Sequence, residues 1–74
     1  MYLSELKKGE KGVIEAIESD ELLAKLFEMG CIPGEKVEMV LIAPFGDPVA
    51  IQVSGYTLAM RKREANQVKV KKCD

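Results

Sequence analysis

The sequence has no histidine and no tryptophan, and only two cysteines among 74 residues. Without histidine there is no Ser-His-Asp triad, no ordinary zinc-water site and no imidazole base near neutral pH. Two cysteines, Cys31 and Cys73, make neither a disulfide framework nor a four-cysteine zinc site, and they suit a reducing, cytoplasmic setting. Aromatic residues are 5% of the chain, too few to line a groove for polyproline ligands. No segment reads G-x-x-x-x-G-K, so hydrolysis of GTP is not expected. No apolar run approaches the roughly 18 residues that span a bilayer, so direct membrane insertion is not expected. The stretch Met1 to Gly12 is mixed and charged, unlike a signal peptide.

What remains is a chain that is 47% hydrophobic, too apolar for a disordered tail. At this length residues 1–74 make one domain, with an expected radius of gyration of about 11 Å and little room for a two-lobed cleft. The charge is polarised. Residues 1–40 carry five lysines against nine acidic residues, a balance of -4, whereas residues 41–74 carry six basic against three acidic, a balance of +3. The basic excess sits in Arg61-Lys62-Arg63 and Lys69-Val70-Lys71-Lys72. Such runs bind phosphates in nucleic-acid proteins. Here no aromatic residue interleaves them, so a solvated strand and tail is the preferred reading over a nucleic-acid-binding barrel.

Leu3 and Leu6 suit one helical turn ended at Gly9, and Gly12 to Ile17 a first strand. Ile14 and Ile17 cannot share one face of a regular strand, so a bulge or a strand end is expected there. Ser19 or Asp20 caps the one clear helix, and Gly30 is placed to end it. Leu22, Leu23, Leu26, Phe27 and Met29 fall within about 160° of its wheel, which puts Phe27 on the buried face. After Pro33-Gly34 the period changes to two. Val37-Met39-Leu41, Val49-Ile51-Val53 and Tyr56-Leu58-Met60 mark three strands, with Gly55 as the turn between the last two. Glu64 to Asn66 suits a helical turn, and Val68 and Val70 a short fifth strand, with Cys73 a free thiol in the tail. The fold class is mainly β: a small five-stranded barrel with one short amphipathic helix between the first two strands.

The ordered set of residues resembles a known family. Glu28-Met29-Gly30-Cys31-Ile32-Pro33-Gly34 is similar to the L/M-G-hydrophobic-x-P-G signature of FeoA proteins. Ala43 to Pro48, Val49 to Arg61, Glu64-Ala65 and Val68-Lys69-Val70 fit in the same order, so the likeness spans nearly the whole chain. The resemblance implies an SH3-like barrel, also found at the C-terminus of iron-dependent repressors. It implies a non-enzymatic cytoplasmic accessory of bacterial ferrous iron (Fe2+) uptake, acting on the FeoB transporter's cytoplasmic GTP-binding part. A transition-metal-binding or metal-sensing module is the alternative it leaves open. Family members usually carry Leu, Ile or Met where this chain has Cys31.

Pro33 and Gly34 form a stiff corner that can present a surface. Pro44, Phe45, Gly46 and Asp47, with Arg61, are the better candidates for partner contact. Phe45 either folds back over the barrel mouth or anchors a partner. Gly30 and Gly55 are structural turns. Cys31 reads as a small buried hydrophobe, and Cys31 with Cys73 is a weak candidate for a soft metal. Glu15, Glu18, Asp20 and Glu21 read as a solvated acidic rim. No cofactor is required on this reading, weak binding of a transition metal ion (Fe2+) is left open, no small-molecule substrate is implied, and a homodimer stays open.

Overall fold

In the computed structural model, which describes residues 1–73, a 3-10 turn at Leu3–Glu5 precedes strand β1 (Lys11–Ile17). Helix α1 (Asp20–Glu28) follows, then β2 (Lys36–Ile42), β3 (Val49–Val53), β4 (Tyr56–Met60), helix α2 (Lys62–Ala65) and β5 (Val68–Cys73). The strands form one antiparallel sheet in the order β4-β3-β2-β1-β5. Met60 on one edge strand and Val68 on the other join a single buried cluster with Ile14, Val37, Met39 and Ile51. A sheet whose two edges share one core must wrap around it. Among the described residues no ladder joins β4 to β5, and the turn of α2 spans that gap. The radius of gyration is 10.7 Å, as a compact chain of this length should have.

Two bulges bend the sheet. Register shifts between Ile14 and Ala16 on β1, which places Ile14 opposite Val70 and Ile17 opposite Val68 on the core side. A second shift lies between Met39 and Leu41 on β2, so Met39 is buried and Leu41 turns outward at 53% exposure. The strict alternation read for Val37, Met39 and Leu41 therefore fails at its last member, because an extra residue reverses the faces of the strand beyond it.

The Ser19 hydroxyl caps α1 by accepting the Leu22 N–H at 3.2 Å. Asp20 and Glu21 lie in the first turn, where the helix dipole favours negative charge. Leu22 and Leu26 seal one side of the core. Phe27, expected on the buried face, is 66% exposed. The wheel places it about 140° from Leu22, beyond the stripe that one small sheet can cover. β5 is longer than expected. It runs six residues, and Cys73 is half-buried opposite Lys11 rather than in a free tail. No polar or charged residue is buried among the described residues, so nothing in the core competes with packing.

Candidate functional site

The loop between β2 and β3 is held on both sides. The Ala43 N–H donates to the Pro48 carbonyl at 3.1 Å, and the Gly46 N–H to the Ala43 carbonyl at 2.7 Å. Gly46 has φ +85°, a conformation that side chains resist, which explains glycine there. The Asp47–Pro48 peptide is cis. Asp47 Oδ1 accepts the Lys62 N–H at 2.9 Å, tying the loop to the start of α2. Asp47, Pro48, Met60, Arg61 and Glu64 then line a shallow cleft of about 470 Å³. The tethered loop leaves Phe45 98% exposed. The aromatic does not fold back over the barrel. Leu41 and Ile42, on the same hairpin, are exposed beside it in sequence.

α2 is braced in turn. Glu64 accepts the Arg61 N–H at 2.9 Å and pairs with Lys25 of α1 at 3.0 Å. The Arg61 backbone bond and the Lys25 ammonium hold the Glu64 carboxyl below its ordinary range. The structure thus brings Asp47 and Arg61 together around the Phe45 loop.

Pro33 and Gly34 lie elsewhere. The Gly34 N–H donates to the Ile14 carbonyl at 2.8 Å, fixing the corner against β1. Pro33 borders an apolar groove of about 630 Å³ along α1, lined by Leu23, Ala24, Phe27 and Ile32 and rimmed by Asp20 and Glu28. Sequence reasoning missed this groove because it assigned Phe27 and Leu23 to the core. Ile32 and Pro33 following an apolar helix edge were the available signal. Gly30 ends α1, its N–H reaching the Phe27 carbonyl at 3.1 Å, and Ser54-Gly55 turns β3 into β4.

The two cysteines are both free thiols, one buried and one half-buried. Cys31 is fully buried, and burial, with Glu35 adding to it, pushes its thiol up to about 11. A ligand thiol must lose that proton. Among the described residues no three Cys, Asp or Glu side chains converge as a metal-holding group. The acidic residues near the start of α1 are spread as well: Glu18 accepts the Tyr2 hydroxyl at 2.9 Å. Lys69 and Lys71 are exposed on β5, alternating with buried Val68 and Val70, and Lys72 pairs with Glu10 at 2.6 Å. No described helix is long and apolar enough to cross a membrane.

Comparison with known proteins adds the relatives. The profile of the FeoA domain matches residues 1–72. The Fe(2+) transport protein A/Fe(2+) transporter FeoB fusion protein of Porphyromonas gingivalis is 34% identical over 95% of this chain, which spans only 8% of that protein's length. Among solved structures, FeoA of Chlorobium tepidum superposes with a TM-score of 0.94 at 31% identity, over 100% of this chain and 71% of that one. FeoA of Stenotrophomonas maltophilia, solved in complex with zinc and described as a procaryotic SH3 domain protein, gives 0.83 at 36% identity over 96% and 89%. The T. acidophilum repressor IdeR shares the fold alone, at 23% identity and a TM-score of 0.86, over 99% of this chain and 34% of that one. With the profile matching along almost its whole length, the chain belongs to the FeoA family, associated with ferrous iron transport.

Proposed function

We propose that residues 1–74 work as one non-enzymatic domain on the cytoplasmic side of ferrous iron uptake. The domain docks on the cytoplasmic GTP-binding part of an FeoB-type transporter through the Phe45 loop, with Pro44, Gly46, Asp47 and Arg61 framing the anchor. The observation that carries this reading is the posture of Phe45. An aromatic side chain stands 98% exposed on a loop pinned by backbone bonds and by Asp47, where it serves no internal packing. Aromatic anchors on rigid loops are the usual centres of binding energy. The fusion of the two proteins in the P. gingivalis relative supports the choice of partner, because a covalent linker makes docking intramolecular and raises its effective concentration.

Docking modulates the transporter only by binding one of its states better than another. No cofactor and no small-molecule substrate enter this mechanism. The test is a titration of the chain into the FeoB cytoplasmic domain, without nucleotide, with GDP and with a non-hydrolysable GTP analogue. Saturable binding whose affinity changes with nucleotide is expected. Absence of binding in every nucleotide state overturns the reading.

A further inference from the structure

The exposed knob and the α1 groove are complementary to each other. The groove is apolar along its floor, with Leu23, Ala24, Phe27, Ile32 and Pro33, and its charged lining residues, Asp20 and Glu28, are both acidic. The knob is apolar from Leu41 to Gly46 and basic at its flank. The Lys62 ammonium stands so close to the loop that a Cβ added at Gly46 would come within 3.9 Å of it. Arg61 and Arg63 flank Lys62 and are exposed. An aromatic beside a cation thus matches an aromatic-lined groove beside two carboxylates, which gives both contact area and a charge preference.

Geometry keeps this match between molecules. Lys25 points from α1 to Glu64 on α2, and Asp47 ties the Phe45 loop to the start of α2. Leu23 and Phe27 each lie about 160° around α1 from Lys25. The groove therefore faces away from the side of α1 that meets α2 and the loop. We propose that Phe45 of one copy seats in the α1 groove of a second copy, with Lys62 facing Asp20 and Glu28. The occupant of the groove is this chain itself, in a heterologous contact. One knob is a small interface, so the contact is weak, with a Kd on the order of 100 µM. A Phe45 seated in a neighbour is unavailable to a transporter, so the two contacts exclude each other at that side chain.

The test is analytical ultracentrifugation of the full chain from about 10 µM to about 1 mM, a range that brackets this Kd. Two variants at exposed positions remove one half each: Phe45→Ser removes the knob, and Ala24→Arg fills the groove and repels Lys62. The wild type should associate reversibly. Each variant alone should lose at least about tenfold in association constant, the effect of leaving one aromatic side chain in water. An equimolar mixture of the two should recover 1:1 pairs, because one retains a groove and the other a knob. Unchanged melting temperatures show that both variants fold. A wild type that stays monomeric at the top concentration, variants that associate as it does, or a mixture that fails to pair would each overturn the proposal. If that monomer instead sediments with vesicles of anionic phospholipid, the knob belongs to a lipid surface.

Discussion

Cys31 and Cys73 show how one residue type takes two characters. Cys31 packs between α1 and the sheet with no exposed surface, and its thiol is pushed up to about 11 by the apolar surroundings. It behaves as a small hydrophobe. Cys73 sits half-buried at the end of β5. Iodoacetamide or Ellman's reagent at pH 8 should therefore modify one thiol rapidly in the folded chain, mapped to Cys73. Cys31 should react only after denaturation. Rapid native labelling of Cys31 would contradict the burial argument. The sequence made this residue legible: a lone Cys in an apolar run, with no histidine anywhere, has few alternatives to the core. Phe45 was not legible in the same way. Its loop was recognisable from Pro44, Gly46 and Pro48, but its direction depends on the Asp47–Lys62 tether, a contact across 15 residues that no local pattern encodes.

At the scale of elements, the two helices depend on their first turns. Ser19 satisfies the Leu22 N–H, and replacing it with Ala should cost about 1 kcal/mol in chemical denaturation. That is a large share of the few kcal/mol holding a domain this small. α2 depends on Glu64, whose carboxyl is held low by the Arg61 N–H and then by Lys25. A carboxylate with a depressed folded pKa contributes stability above its unfolded pKa and loses it as pH falls through the folded value. The melting temperature of Glu64→Gln should therefore lie below the wild type's at pH 7 and converge on it between roughly pH 5 and 3. A gap that persists at pH 3 would mean that charge is not the cause. The elements themselves were readable from periodicity, since 3.6 and 2 are distinct patterns. What periodicity could not show was where it breaks. The bulge after Met39 turned Leu41 out, and the narrow sheet left Phe27 outside although it falls on the apolar arc of α1. Both misreadings hid exposed apolar surface. β5 was underestimated for the opposite reason: its last three residues are two lysines and a cysteine, which carry no apolar alternation to read.

At the scale of the molecule, the -4 and +3 asymmetry of the sequence reaches the two candidate surfaces only in part. Asp20 and Glu28 of the acidic half line the α1 groove, and Lys62 of the basic half stands beside the Phe45 loop, while Lys69 and Lys71 lie exposed on β5. The core holds no polar side chain among the described residues, and the cysteines and carboxylates gather into no metal-holding group. On the proposed function the domain works by recognition at its surface, with Phe45 at the centre of the contact. The most direct measurement is the affinity of the wild type and of Phe45→Ser for the FeoB cytoplasmic domain, by calorimetry in the nucleotide state that binds best. The account predicts saturable wild-type binding and at least about a tenfold loss in the variant, the scale of a truncated aromatic anchor, with the melting temperature unchanged. Equal affinity for the two chains would contradict it.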